Sequence, residues 1–351
     1  MSHKIRSFIA KEWLFWLSLV LWIASSLLLH RIPHYSSDEF EVLFILFMLF
    51  IAIKGLENSG LLRFVAIKIE QGIYPSFALV LATFLISLFV TNDVALIVMV
   101  PITLLLNIPK KAYLIIIEAI AANGAALLPS STPQNLYIFW HYDLSLQEFV
   151  RVIFPFVLFI FLFSLLLVAI LRIKVVSDEE VVIKPPTRKA KEFLFLFLLV
   201  VAAVIKVVSL FLAFIVFFYA LFRDPKSLQI DYYLLATFFL FFGIADNTSF
   251  FFQKEIAHIH DIFWLSLILS QLISNVPASV VVANFTQQWQ PLLWGVSVGG
   301  YGILWGSLAN IIAYKFYSAK YKEPLFLLRF MVLNFITLIL GVGLWYLVGA
   351  S

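Results

Sequence analysis

The sequence predicts an all-α polytopic membrane protein with two inverted-topology repeats, each holding a re-entrant hairpin and a broken transmembrane helix, about nine spans and two hairpins in all. Three observations predict it. Of 351 residues, 63% are hydrophobic and 13% charged, which leaves too little polar surface for a water-soluble domain. Apolar runs recur from end to end, and four blocks recur in the same order in the two halves. We therefore expect the bilayer to be the solvent of this chain.

The membrane spans follow from apolar runs near the length of roughly 20 residues that a helix needs to cross the hydrocarbon. The first run follows basic residues, as in a signal peptide, but it is long, aromatic and without a small-residue cleavage site, so we expect it to be retained. The polar stretch 172–192, which contains a Pro-Pro pair, predicts a cytoplasmic linker between a first repeat at 1–171 and a second at 193–351. The predicted spans are 13–29, 41–56, 112–141, 151–171, 193–208, 209–222, 230–245, 291–314 and 324–349.

The two halves can be aligned block by block. Gly55 then matches Gly243, Asn92 matches Asn275, and Asn135 matches Asn310. The extra apolar run 209–222 in the second half would turn everything after it upside down in the membrane, which predicts inverted repeats. The aligned blocks are 12–28 with 192–208, 44–61 with 234–251, 90–102 with 273–285, and 124–135 with 299–310.

The distribution of positive charge supports this topology. With a cytoplasmic N-terminus in the inner (plasma) membrane, all but four of the 24 Lys and Arg fall on the cytoplasmic side or its interface. The net charge of +4 therefore indicates orientation rather than nucleic-acid binding. The absence of cysteine excludes a disulfide framework, a thiolate metal site and a cysteine nucleophile. The four exceptions are Arg31, Arg151, Lys206 and Lys254.

Two apolar segments do not fit as simple spans. Phe77 to Leu106 has about 30 residues, too long for one crossing and too short for two, and Thr91, Asn92 and Asp93 interrupt it. Each arm would reach roughly 20 Å, so the polar tip would lie near mid-membrane. Ile262 to Phe285 repeats the pattern with Ser274 and Asn275 at the tip. These lengths predict re-entrant hairpins that enter from opposite sides and converge.

Two spans contain polar or glycine-rich interruptions, at 130–135 and 299–307. Non-helical backbone at membrane depth is tolerated only where protein or a water-filled cavity satisfies it. The freed carbonyls and the hydroxyl and amide side chains would suit a hard cation such as Na+. The half-helix N-termini would attract an anion. Cation sites beside an anion site are typical of a cation-coupled anion symporter.

Intramembrane carboxylates are the strongest single-residue candidates for function, because an ionisable group at this depth is costly and marks function by default. Asp93 could ligate a cation or carry the proton itself, whereas its partner position in the second half is Val276. Glu118 is a second candidate for proton coupling. The His258, His260 and Asp261 cluster is expected to be a solvated loop rather than a metal site.

Catalytic motifs are absent. The sequence has no HExxH, GxSxG or phosphate-binding GxxxxGK[ST] pattern, and almost no soluble mass to house a catalytic domain. We therefore expect no enzyme activity and no cofactor beyond a coupling ion.

VTNDVALIVMVPI, SSTPQN, ISNVPAS and GGYGILWGSLAN together resemble the ion-transporter superfamily of arsenite permeases, sodium/proton antiporters and citrate or divalent-anion sodium symporters. The resemblance covers essentially the whole chain, and TNDVAL and TPQN look closer to the arsenite permease-like branch. It implies a homodimer within membrane lipid, an elevator-like movement, and Na+ or H+ as the coupling ion. Tyr301 and Trp305 depart from the smaller residues of relatives, and Val276 replaces a second Thr.

The resemblance also implies that hairpin tips and helix breaks form paired cation sites with the anion between them. Na+ would bind near Asn92, Asp93 and Asn275. The full set of implied ion- and substrate-binding residues is Thr91, Asn92, Asp93, Ser131, Thr132, Pro133, Gln134, Asn135, Ser274, Asn275, Gly306, Ser307 and Asn310.

Three functions remain open from the sequence. The first is a cation- or proton-coupled secondary transporter of a small inorganic or organic anion or oxyacid, similar to citrate, a dicarboxylate or arsenite. The second is a sodium/proton antiporter in which Asp93 is the carrier. The third is a structural membrane protein that uses its helix breaks only for packing.

Overall fold

The structure is a computed structural model that describes residues 13–62, 64, 68, 74–173, 185–252 and 261–349. Within these residues the chain is helical and contains no strand. Most of the predicted linker 172–192, together with His258 and His260, lies outside the described residues.

Seven α-helices are described before the linker, and eight follow it. The first seven are α1 Trp13–Leu29, α2 Ser37–Asn58, α3 Pro75–Phe89, α4 Asn92–Leu105, α5 Lys111–Gly124, α6 Pro133–His141 and α7 Leu146–Leu171. The next eight are α8 Lys189–Val204, α9 Phe214–Arg223, α10 Tyr232–Phe252, α11 Ile262–Ile273, α12 Asn275–Ala283, α13 Trp289–Gly299, α14 Leu308–Lys320 and α15 Phe326–Leu344.

Local sequence explains where several helices begin. Ser36 and Glu39 form a reciprocal capping box at the start of α2, and Ser145 and Glu148 form another at the start of α7. Each box supplies acceptors for backbone N–H groups that have no partner inside the helix. Pro75 opens α3 at a position where no N–H donor is needed.

Two long predicted spans are each two helices. The span predicted at 112–141 consists of α5, a 3₁₀ turn at Pro129–Ser131, and α6; the span predicted at 291–314 consists of α13, a 3₁₀ turn at Leu304–Gly306, and α14. Within the described residues, three helical segments are long and apolar enough to cross a membrane, namely Leu146–Leu171, Pro225–Asn247 and Phe326–Gly349. The broken spans escape this criterion because each of their helices is short.

The outer helices of each half pack against outer helices of the other half. α2 packs against α8, and α1 packs against α10. The matched glycines lie at these two crossings. A Cβ on Gly55 would lie 2.0 Å from the ring of Phe193, and a Cβ on Gly243 would lie 2.4 Å from the indole nitrogen of Trp22. Each crossing therefore requires a residue without a side chain.

The inner helices also make contacts between the two halves. α3 packs on α4 and α11 on α12, so each pair forms a helical hairpin, and both pairs pack on the first helix of the broken span in their own half, α5 or α13. The second arm of each hairpin then crosses over: α4 packs on α14, and α12 packs on α6. The core of the molecule is thus built from both halves.

The open ends of the two hairpins contact different ends of the broken span α5–α6. Lys111 and Lys320 donate to the backbone oxygen of Leu104 at 3.1 and 2.9 Å, which ties the end of α4 to the start of α5. Tyr142, just after α6, donates to the backbone oxygens of Ala283 and Thr286 at 3.2 and 2.9 Å. The first hairpin therefore opens where this broken span begins, and the second opens where it ends.

Candidate functional site

The tip of the first hairpin directs two consecutive side chains to different places. Thr91 is buried and precedes α4 in an extended conformation. Asn92 is buried, its Nδ2 donates to Oδ1 of Asn123 at 3.0 Å, and its own Oδ1 accepts the backbone N–H of Asp93. The Asp93 side chain instead lines a cavity. The tip thus places Asn92 in the buried core and Asp93 at the wall of a cavity.

Asn123, in the last turn of α5, joins the first tip to the second break. Besides Asn92, it accepts from Oγ of Ser307 at 2.8 Å and donates to Oδ1 of Asn310 at 2.8 Å. Asn310 in turn donates to the backbone oxygen of Gly300 at 3.0 Å. The oxygen lone pairs of Asn123 are fully used. The sequence prediction missed Asn123, although an amide in the apolar run LIIIEAIAAN directly before a break was a usable signal.

A cavity of about 180 Å³ lies beside the first tip, between α2, α4, the start of α10 and α14. Its polar lining includes Asp93, Asp231, Lys54 and Glu57. Lys54 and Glu57 pair with each other at 2.9 Å. Oδ1 of Asp93 is buried and accepts no hydrogen bond from the described residues. A carboxylate oxygen in this position requires a cation or a proton to offset its burial.

The first helix break, 125–132, is held by its own side chains. Thr132 caps α6 by accepting the backbone N–H of Asn135 at 3.3 Å, and Pro133 takes the first helical position. Asn135 Nδ2 donates to the backbone oxygen of Ala126 at 2.9 Å and to Oγ of Ser131 at 3.4 Å. These contacts fix the direction of the half-helix N-terminus.

Two buried oxygens, one in this first break and one in the first turn of α6, have no hydrogen-bond partner among the described residues. They are Oδ1 of Asn135, a residue with no exposed surface, and Oγ of Ser130, which is 1% exposed. Gln134, also buried, lies between them in sequence. Buried oxygens normally have a hydrogen-bond partner, and neutral oxygens of this kind are typical ligands of hard cations.

The second tip packs onto the second break. Ser274 has a φ of +78°, which is uncommon outside glycine, and its Oγ donates to the backbone oxygen of Gly306 at 3.4 Å. Asn275 is buried, and its Nδ2 lies 3.0 Å from where a Cβ on Gly300 would be. Gly300 therefore permits the close approach of the tip.

The two bulky residues noted in the sequence are both anchored by hydrogen bonds. Tyr301 is fully buried, and its hydroxyl donates to the backbone oxygen of Ile120 at 3.1 Å. The indole of Trp305 donates to the backbone oxygen of Gln271 at 3.0 Å. Both side chains join the second break to neighbouring helices.

Glu118 lies in α5 away from both tips. It has no exposed surface, and its Oε1 accepts from Oγ1 of Thr103 at 2.6 Å. Its Oε2 is buried beside the hydroxyl of Thr83 and has no other partner in the described part of the chain. A carboxyl in this setting is suited to hold a proton.

The structure connects the predicted residues unevenly. The first tip, through Asn123, is joined to Ser307 and Asn310 of the second break, and the second tip is joined to Gly306. Asn92 and Asp93 point apart, and among the described residues no hydrogen bond joins Asn92 to Asn275. The grouping of Asn92, Asp93 and Asn275 around one ion is thus not formed by direct contacts here.

Apolar helices, two helical hairpins and buried polar groups at helix breaks define a multi-pass membrane protein of the transporter class. The chain belongs to the citrate transporter family, whose model matches residues 13–299. The predicted membership of the ion-transporter superfamily is therefore confirmed.

Two curated relatives are transporters or membrane proteins by name. An uncharacterized transporter of Methanocaldococcus jannaschii is 32% identical over 312 residues, which cover 83% of this chain and 84% of the relative. The inner membrane protein YbiR of Escherichia coli is 32% identical over 287 residues, or 74% of this chain and 75% of the relative. The protein is a membrane transporter.

Proposed function

We propose that the protein is a secondary active transporter that moves a small anion or oxyacid, similar to citrate, a dicarboxylate or arsenite, across the inner (plasma) membrane together with Na+ or H+. The observation that carries this proposal is the cavity beside the first tip, in which Asp93 presents an unpaired carboxylate oxygen. The family and the names of the relatives support transport. On this proposal the chain has no catalytic activity.

The anion would bind where helix N-termini converge. α4 begins at Asn92, α12 at Asn275 and α14 at Leu308, each at a tip or break. Each N-terminus carries free N–H groups and a partial positive charge. Asn92, Asn123 and Asn310 already link α4 to α14 through side-chain hydrogen bonds. A bound carboxylate or oxyanion would add acceptors to this centre, with the coupling ion held beside it.

The inverted arrangement is supported by the ends of the hairpins. The first hairpin opens beside Lys111 and Lys320, and basic residues at membrane helix ends favour the cytoplasm. The second opens at the far end of the α5–α6 span, beside Tyr142. We therefore propose a cytoplasmic N-terminus, re-entrant hairpins that enter from opposite sides, and repeats at 1–171 and 193–351. The homodimer in lipid is what the resemblance implies.

Transport by the purified protein in proteoliposomes tests this function. Radiolabelled citrate, succinate, phosphate and arsenite are offered with an inward Na+ gradient, an inward H+ gradient, or neither. We expect gradient-driven uptake of one anion class, and its loss in Asn92→Ala and Asn275→Ala. Asn334→Ala is the matched control, because Asn334 is a buried amide whose Nδ2 donates to the backbone oxygen of Phe330 in its own helix. No uptake of any anion under any gradient would contradict the proposal.

A sodium/proton antiporter is the second candidate, favoured by the unpaired oxygen of Asp93. In this case Na+ alone would dissipate a pH gradient across the vesicle, and Asp93→Asn would abolish the response. Anion uptake that persists in Asp93→Asn would assign Asp93 to a different role.

A further inference from the structure

The two helix breaks differ in what satisfies their backbone oxygens. At the second break, Nε2 of Gln271 donates to the backbone oxygens of Gly299 and Tyr301 at 2.6 and 2.8 Å. Its Oε1 accepts the backbone N–H of Ile303 at 3.1 Å. One carboxamide thus bridges three backbone groups of the break. Its NH2 group lies between two carbonyl oxygens, as a bound cation would.

The side chains of the second break are also satisfied by protein. Ser307 and Asn310 both bond to Asn123, and Asn310 also bonds to Gly300. Neither Ser307 nor Asn310 has a buried atom without a partner, and the unpartnered buried oxygen of Ser297 lies in α13, two residues before the break. Few ligand oxygens are left there for a metal ion.

The first break contrasts with this at the matched positions. The alignment of 90–102 with 273–285 places Leu88 where Gln271 stands, and a leucine cannot donate to the break. Asn135 and Ser130 keep buried oxygens without partners there. The protein therefore closes the second break with an amide and leaves oxygens available in the first.

We propose that this transporter binds a single metal cation, held at the first break by Asn135 and Ser130, and that the Gln271 carboxamide takes the place of a cation at the second break. This inference rests on the proposed function for the role of the cation in coupling. It assigns Gln271 as a positioning residue, and it leaves a proton as the group that offsets the burial of the Asp93 oxygen.

The number of bound cations can be measured without transport. The apparent melting temperature of the purified protein is followed as NaCl replaces choline chloride at constant ionic strength, because each ligand that binds only the folded state stabilises it by RT ln(1 + [L]/Kd). Well above Kd, the free energy of unfolding therefore rises by about one RT per natural-log unit of Na+ concentration for each bound ion. We expect a slope of about one RT, lost in Asn135→Leu. A slope of about two RT, or no stabilisation by Na+, Li+ or K+, would overturn the proposal.

Two variants of Gln271 test its role as a substitute for a cation. In Gln271→Leu the oxygens of Gly299 and Tyr301 lose their donor, and in Gln271→Glu they face a carboxylate. We expect both variants to be destabilised in choline and to regain stability in Na+ with a steeper dependence than the wild type. The exposed Gln290 of α13 provides the control Gln290→Leu, with wild-type behaviour. If Gln271→Glu is destabilised equally in choline and in Na+, the Gln271 carboxamide does not take the place of a cation.

The outcomes separate this inference from the proposed function. Single-site Na+ stabilisation without anion uptake would contradict the proposed function and leave the cation site standing. Anion uptake driven by two cations would support the proposed function and contradict the single cation site.

Discussion

Asn123 is the residue on which the buried polar core depends. It is 5% exposed, and it joins a residue of the first hairpin tip to two residues of the second break, more than 180 positions away in sequence. Buried polar groups are costly when their partners are lost, because they can then bond neither protein nor water. A residue with three such partners thus holds the two halves of the centre in register.

Replacing Asn123 by alanine should destabilise the protein more than an ordinary buried amide does. Asn92, Asn310 and Ser307 would each lose a partner, and an unsatisfied buried group costs about 1–3 kcal/mol. Asn334→Ala removes only a bond to the backbone of Phe330 and serves as the control. Thermal unfolding in detergent measures both. Equal melting temperatures for the two variants would show that the network carries no stability.

The ion pair of Asp143 with Lys206 should matter little at neutral pH. Hydrogen bonding to the Lys206 ammonium holds the pKa of the Asp143 carboxyl below its usual value. The pairing is therefore present above the unfolded pKa and lost as pH falls through the lowered folded pKa. The Asp143 side chain is 91% exposed, so solvent screens the pair. Melts of Asp143→Asn at pH 7 should match the wild type, and a clear loss of stability would contradict this.

At the scale of elements, two glycine crossings connect the outer helices. Gly55 lies where α2 meets α8, and Gly243 lies where α10 meets α1. A side chain at either site would overlap an aromatic ring that is itself packed, such as Phe193, which is 1% exposed. Close packing of the halves therefore depends on these two residues.

Gly55→Ala should lower stability by about 1–3 kcal/mol, the usual cost of overpacking a core. Gly343→Ala is the matched control, because Gly343 lies inside α15 with open space around its Cβ position. Alanine there should be neutral or stabilising, since it favours helix. Thermal melts decide between them, and a harmless Gly55→Ala would indicate that α2 and α8 can separate freely.

Much of this element structure could be predicted from sequence. The lengths of the apolar runs and the polar tips at 91–93 and 274–275 placed the helical hairpins, and Gly, Pro and Ser residues placed both breaks. Asn123 and Gln271 were missed because each stands inside a regular helix, and its role exists only through partners distant in the chain. The packing of α4 and α12 against helices of the opposite half is likewise a tertiary property that periodicity does not encode.

At the scale of the whole molecule, helices of each half pack against helices of the other half, in the outer as well as the inner part of the fold. α1 and α2 pack on α10 and α8, and α4 and α12 pack on α14 and α6. The carboxylates of Asp246 and Asp143 pair with Arg31 and Lys206, two of the four basic residues assigned to the outer side. We propose that the two halves have opposite orientations in the membrane and that their hairpin tips face one centre.

Cysteine accessibility tests this claim most directly, because the wild-type chain has no cysteine to interfere. Asn107→Cys lies at the open end of the first hairpin and Gln287→Cys at the open end of the second, each in a loop outside the helices. We expect a membrane-impermeant maleimide, applied to intact cells, to label Gln287→Cys only, and Asn107→Cys to react only after the membrane is permeabilised. Labelling of both sites from the same side of the membrane would contradict the inverted arrangement.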